Sequence, residues 1–293
     1  PEAARWRMGG DGFTLTNADR DDASVIQWEG PANRLSWFAR YIAAGGADRD
    51  QVFTIDQVSW PDANPWASWM RFGAFDFFGD GVRAAITTWS GDVWVVSGLD
   101  EGMSELRWRR VATGLNQPLG LKIRDDDIYV LGRDQITRLV DEDGDGETDF
   151  YENFNNDTFN SEHFHEPATG LQTDSDGAFY FMKAARHALR AGHPHHGVLM
   201  RVAADGSEST VLARGFRAPN GLGRGPDGTF YATDQEGHWM PANRLNRIQL
   251  GGFHGNEWAW TEGNTSTGET RPLCWLHPSV DRSPAEPIWI PDE

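Results

Sequence analysis

The stretch His163-Phe164-His165-Glu166-Pro167-Ala168-Thr169-Gly170-Leu171-Gln172-Thr173-Asp174-Ser175-Asp176-Gly177-Ala178-Phe179-Tyr180-Phe181 decides the fold. Its plan returns downstream in Arg217-Ala218-Pro219-Asn220-Gly221-Leu222, then Asp227-Gly228, Phe230-Tyr231 and Asp234-Gln235. Each copy reads as a polar residue, a proline, a Gly-Leu strand, an Asp-Gly turn and an aromatic strand. A fainter copy lies upstream at Pro118-Leu119-Gly120-Leu121, with a turn over 125–127 and a return at Ile128-Tyr129-Val130. An earlier one spans 73–86 and turns at Asp80-Gly81. The anchor glycines 73, 120, 170 and 221 set a period of about 50 residues, and such a period with two or more strands per unit predicts an all-β chain folded as a β-propeller.

Composition narrows the function. The chain has 293 residues and a formal net charge of -18, which argues against nucleic-acid binding because phosphate is repelled, and suits a secreted protein. Fourteen Trp and 16 Phe compensate for a hydrophobic content of only 39% by filling space between sheets. The single cysteine, Cys274, excludes a disulfide framework within the chain, and no C-x-x-C-H motif offers a covalent haem site. No run of about 18 apolar residues is present, so no transmembrane segment is expected. The opening at Pro1 without Met leads us to expect a processed or shortened chain.

Taken in order, residues 1–70 form a lead-in that packs on the propeller, with a strand at Phe13-Thr14-Leu15-Thr16 and a short helix over 34–44. The propeller occupies 71–293, with blades at 71–115, 116–160, 161–216 and 217–260 and a partial blade at 261–293 that starts near Pro287-Ile288-Trp289. Four to five blades leave the ring incomplete in this chain. Open edges are avoided by proteins, so another chain or fragment is expected to complete it.

Rotational repetition brings equivalent positions to one axis. Gln117, His165 with Glu166, and Arg217 precede the inner strands; Arg133-Asp134, Lys183, and Asp234-Gln235-Glu236 follow the second strands. A mouth ringed by Arg133, Lys183 and Arg217 attracts anions, and His165 among them is a candidate base near neutral pH. Separately, residues 141–152 match the calcium-loop pattern D-x-D-x-D-G-x5-E. Asp141, Asp143, Asp145, the Glu147 carbonyl, Asp149 and Glu152 are the expected ligands of a structural Ca2+, in a loop between strands rather than a helix pair. An insert at 186–196 carries His193, His195 and His196; a cover for the mouth is expected there before a metal site, with His238 and Trp239 meeting it.

These motifs resemble the six-bladed propeller of the soluble quinoprotein sugar dehydrogenases and their sorbosone-dehydrogenase-like relatives. The likeness rests on His165 ahead of Gly170-Leu171, on 215–222, Pro226-Asp227-Gly228, Asp234-Gln235, 243–248 and 251–256. It is closer still, through 134–139, 162–166 and 233–239, to large propeller proteins of planctomycete-like bacteria that often carry c-type cytochrome domains. The resemblance implies that His165 is the general base and that Arg217 and Gln235 border a pyrroloquinoline quinone (PQQ) pocket; the basic ring then adds Lys183 and Arg133 as expected holders of the anionic quinone. It departs at Ala218, where the family has an Asn.

Two functions follow as expectations. One is a periplasmic or extracellular oxidoreductase that oxidises a sugar or alcohol hydroxyl and passes electrons to a separate cytochrome or other protein subunit. The other is a non-catalytic, calcium-stabilised propeller serving as a binding or assembly subunit. A hydrolase or lyase using His165 and Glu166 is a third, weakened because Glu166 has no evident carboxylate partner.

Overall fold

The structure is a computed structural model that describes residues 5–9, 12–16, 26–28, 58–100, 105–238, 240–262 and 268–289. The helix expected over 34–44 lies outside the described residues, as does Trp239. Among the described residues all regular structure is strand. A hairpin of β1 (Arg5–Gly9) and β2 (Gly12–Thr16) comes first, followed by β3 (Ile26–Trp28). Four antiparallel sheets succeed one another along the chain. The first is β4 (Phe72–Phe77), β5 (Arg83–Thr88), β6 (Val93–Ser97) and β7 (Leu106–Ala112), with β3 added outside β7. The second is β8 (Gly120–Arg124), β9 (Asp127–Leu131), β10 (Ile136–Val140) and β11 (Phe150–Asn155). The third is β12 (Ala168–Thr173), β13 (Phe179–Lys183), β14 (Val198–Val202) and β15 (Ser209–Arg214). The fourth is β16 (Pro219–Arg224), β17 (Phe230–Asp234), β18 (Asn243–Arg247) and β19 (Cys274–Leu276). The described residues therefore form an all-β propeller arrangement of four blades, each a meander running outward from an axial strand.

The anchor glycines have a common mechanical role. Pairing slips in register between Phe72 and Phe75, between Thr169 and Gln172, and between Pro219 and Leu222, so each of these inner strands is bulged at its glycine. Bulges bend and twist a strand where it must follow the ring. Gly170 takes φ +64° and Gly221 φ +138°, which other residues resist. The fainter copy is different: Gly120 stays in register with Leu131, and the turn there is closed by Asp125 and Asp126 at φ 55° and 66°. Two central residues at positive φ make the tight hairpin that matches strand twist.

Blades join through side chains and through a repeated hydrogen bond. Thr87 Oγ1 donates to the Pro118 carbonyl at 3.0 Å, Thr169 to Pro219 at 3.1 Å, and Thr233 to Pro284 at 2.8 Å. Proline has no N–H, so its carbonyl is free to serve the neighbouring blade while its fixed φ starts the inner strand. The third bond shows that residues 284–289 stand where a fifth inner strand would, with Trp289 packed edgewise on Tyr231 at 5.0 Å. The core lies between sheets. Along β13, Phe179 and Phe181 face Tyr129, Leu131 and Ile136 of the second blade, while Tyr180 and Met182 face Leu222, Ala232 and Ile248 of the fourth. A strand buried on both faces reads as an unbroken apolar run, which is how Ala178-Phe179-Tyr180-Phe181-Met182 reads.

A Cβ on Gly170 would sit 2.6 Å from the Leu222 backbone nitrogen, whereas one on Gly81 would meet nothing within 4 Å although its φ is +72°. Gly170→Ala is therefore expected to cost about 2–5 kcal/mol, from left-handed strain plus the clash between blades, and Gly81→Ala only about 1–2 kcal/mol. Denaturant melts of the two variants check this; equal losses would contradict the bulge's packing role.

Candidate functional site

Four segments meet at the end of the channel where the inner strands begin: the turn ahead of β12, the loop between β13 and β14, the lead-in to β16 and the loop after β17. Arg217 lies at their centre and is 8% exposed. Its Nη1 donates to Gln235 Oε1 at 2.7 Å, and its Nη2 is 3.2 Å from His187 Nδ1. Beneath it, Asp234 accepts from the backbone N–H of Arg217 at 2.9 Å and of Ala218 at 2.7 Å. Asp234 is in turn paired with Arg244 at 2.6 Å, both fully buried, and Arg244 also donates to the carbonyls of His254 and Gly215. Asp234 is thus a buried tie and not part of the mouth ring in which its sequence position placed it. Ala218, the departure from the family pattern, serves this tie through its backbone.

The imidazoles surround that guanidinium. His165 and His187 have ring centroids 5.4 Å apart, His187 and His238 4.8 Å, and His238 stacks on Trp258 at 5.1 Å. Phe164 is 71% exposed beside His163, His165 and His187. His165 Nδ1 is buried and makes no hydrogen bond among the described residues. Burial lowers the pKa of His165 below the usual imidazole value, and Arg217 lowers it further; burial and then Arg217 act the same way on His187 and His238. The site is consequently a set of neutral imidazoles about one fixed positive charge, with aromatic walls. Sequence reasoning singled out His165, Arg217 and Gln235, which the fold brings together. It placed His187 only within a covering loop and missed the exposed Phe164 and the wall residue Trp258. The signal for His187 was available, since an insert directly after a blade's second strand emerges at the mouth.

Lys183 and Arg133 are engaged by protein partners around the His165 turn. Lys183 is fully buried at the end of β13, and its Nζ donates to the Glu166 carbonyl. Burial pushes its pKa down to about 8, against the opposing pull of Glu166. Arg133 donates to Asn160 Oδ1 at 3.2 Å, to Gln117 Oε1 at 3.4 Å and to the His163 carbonyl at 2.7 Å, and lies 3.7 Å from Glu166 Oε1. Glu166, also fully buried, accepts from the Ser161 N–H at 2.5 Å, and its Oε2 is 2.7 Å from His196 Nε2, with the ring turned out of line for a hydrogen bond. Burial works to raise the Glu166 carboxyl, but His196, Ser161 and Lys183 overcome it and hold it at about 2. These four side chains form a brace under the turn that carries His163, Phe164 and His165. An ammonium ending a fully buried strand must find an oxygen inside, which is why Lys183 turns inward.

The histidine insert is not among the groups of three or more converging ligand side chains in the described residues. His193, His195 and His196 each spend Nδ1 accepting a backbone N–H, from His195, Phe159 and Gly192 at 3.1–3.2 Å. The acidic loop does gather ligands: carboxylate oxygens of Asp141, Asp143 and Asp149 lie within 4.8 Å of one another. Its backbone is wound by Gly144 N–H and Gly146 N–H on Asp141, at 2.7 and 2.8 Å, and by Glu142 N–H on Asp149 at 2.8 Å. Of the other expected ligands, Asp145 Oδ1 accepts from the Glu147 N–H at 2.8 Å, the Glu147 side chain lies 3.6 Å from Arg109, and Glu152, on β11, pairs with Arg138 at 3.1 Å. The outward register of β11 takes Glu152 away from the loop.

No protein-family profile and no curated protein matches the chain. Solved structures do. A glucose-dehydrogenase-type oxidoreductase of Thermus thermophilus superposes with a TM-score of 0.55 at 20% identity, over 74% of this chain and 72% of that one. The PQQ-bound aldose sugar dehydrogenase of Streptomyces coelicolor gives 0.52 at 15% identity over 75% and 74%. The apo soluble aldose sugar dehydrogenase of Escherichia coli gives 0.51 at 15% identity over 70% and 72%.

Acid sensitivity of the fold follows from the buried rings. His254 is fully buried against Phe216, and burial with Arg244 lowers its pKa to about 4. The folded value lies below the unfolded one, so the unfolded chain binds the extra proton and stability is lost as pH falls from about 6.5 towards 4. His254→Leu is expected to remove about 2 kcal/mol of that loss, which urea titrations at pH 7 and pH 4.5 measure; an unchanged loss would refute the neutral assignment. What the site and the superpositions together establish is the fold, the propeller architecture shared with soluble sugar dehydrogenases.

Proposed function

We propose that this propeller is a quinoprotein-type oxidoreductase acting on a sugar or alcohol hydroxyl. The observation that carries it is His165: a neutral imidazole with a buried, unpartnered Nδ1, standing beside the Arg217–Gln235 pair at the axial mouth. The donor set suits a planar anion such as PQQ on the Arg217 side, where Gln235 and His187 orient the guanidinium. Lys183 and Arg133 contribute through the brace and not by contact. When bound, PQQ supplies the hydride acceptor that the protein lacks. His165 takes the hydroxyl proton, Arg217 holds negative charge in place, and Phe164 and Trp258 exclude water from the cleft. Positioned base catalysis of this kind contributes about 10²–10⁴-fold. Electrons then leave to a separate cytochrome or other subunit, in a periplasmic or extracellular setting. Among the described residues no helix is long and apolar enough to cross a membrane.

The test is dye reduction with aldoses and polyols after adding PQQ and calcium. Wild type is expected to turn over and His165→Ala to lose about 10²-fold or more in kcat. Because burial and Arg217 lower the His165 pKa, the base limb of the wild-type profile is expected below pH 6.5. An inert wild type would overturn the proposal.

The acidic loop is proposed as a structural Ca2+ site held by Asp141, Asp143 and Asp149, with Asp145 and the Glu147 carbonyl in the same loop and Glu152 available only on release from Arg138. Without an ion, clustered carboxylates repel. Chelation is expected to lower the melting temperature by several degrees and Asp143→Ala to abolish that response; a melt indifferent to chelator would remove the ion from the account.

A second reading, a calcium-stabilised assembly subunit, is favoured by the flanks of the ring. Phe75 and Phe77 on β4 and Ile288 and Trp289 at the other flank are exposed, where further blades or a partner would cover them. A stoichiometric partner copurifying with a propeller inert to PQQ would support this reading over the first.

A further inference from the structure

A groove of about 800 Å³ is lined by residues just ahead of the His165 turn. The same short segment serves both places: Phe159 and Asn160 line the groove, and His163, Phe164 and His165 follow at the mouth. Asp134, Asn156 and Asp157 complete its polar side, and His193 stacks on Phe159 with centroids 4.0 Å apart. Much of its hydrogen-bonding capacity is unspent. Asp134 and Asn156 make no side-chain hydrogen bond among the described residues, Asp157 uses only Oδ2, and Asn160 uses only Oδ1.

We propose that this groove binds further units of a neutral oligosaccharide whose terminal residue reaches His165. Carboxylates and amides in a row both accept from and donate to adjacent hydroxyls, and an aromatic edge packs against the C–H face of a pyranose. Asp134 and Asp157, in a chain of net charge -18, repel anionic sugars and leave neutral ones as the fitting class. The groove is open to solvent, and residues 159–165 run from its lining to His165, so a bound chain would cross from one to the other over that turn. The inference rests on the oxidoreductase reading for the chemistry at His165, but the groove's binding does not depend on PQQ.

Isothermal titration of the cofactor-free chain with glucose, maltotetraose, cellotetraose, xylotetraose and tetragalacturonate tests it. At least one neutral tetrasaccharide is expected to bind about tenfold or more tighter than glucose, and Asp134→Ala with Asn156→Ala, both outside the His165–Arg217 machinery, to remove that gain. In the PQQ-loaded protein the same double variant raises KM for the tetrasaccharide and leaves glucose turnover unchanged. Binding of no neutral tetrasaccharide, equal binding of tetragalacturonate, or binding untouched by the double variant would overturn the groove. Tetrasaccharide binding without any dye reduction would keep the groove and overturn only the redox reading.

Discussion

Close approach of neighbouring inner strands at the axis is the constraint from which the rest of this molecule follows. Where one blade's bulge meets the next blade's backbone, there is no volume for a side chain, and glycine is placed at 73, 170 and 221. The threonine-to-proline hydrogen bonds tie the first blade to the second, the third to the fourth, and the fourth to residues 284–289. Because the blade arrangement is repeated, segments far apart in the chain open onto one mouth. The functional cluster is a consequence of this geometry and not of local sequence.

Around Arg217 the same economy recurs at smaller scale. The Asp234–Arg244 ion pair is buried completely, a costly arrangement unless each charge finds several hydrogen bonds. Here the carboxylate receives two backbone N–H groups and the guanidinium reaches two carbonyls. A buried pair so satisfied holds the β16 lead-in in one position and with it the orientation of Arg217. The brace of Arg133, Glu166, Lys183 and His196 does the equivalent for the His165 turn. Two rigid supports thus face each other across the mouth, one presenting a fixed cation and the other a neutral imidazole.

How much of this was legible in the sequence depended on whether a feature was set by backbone or by side-chain competition. The Gly-Leu and Asp-Gly repeats state backbone requirements directly, so the fold and the convergence of His165, Arg217 and Gln235 could be read from them. The fate of Lys183 could not, because an exposed cation and a buried one look alike until the neighbours of β13 are known. Glu152 shows the same competition: its spacing fits a calcium loop, while strand register sets it beside Arg138. The outer strand of the fourth blade, Cys274–Leu276, arrives after a long excursion past residue 247, and no periodicity marks it. Phe164, an exposed aromatic between two histidines, became meaningful only when the turn beneath it was seen to be braced.

The claim on which the account turns is that His165 is held neutral by burial and by the nearby Arg217, across two blades. Nitrogen-15 NMR titration of the imidazoles in wild type and in Arg217→Met, which keeps the bulk but removes the charge, measures this directly. The account predicts that His165, His187 and His238 all titrate below the ordinary imidazole value and that all three move upward together in the variant. A His165 that titrates at or above the ordinary value, or that ignores the loss of Arg217, would contradict it.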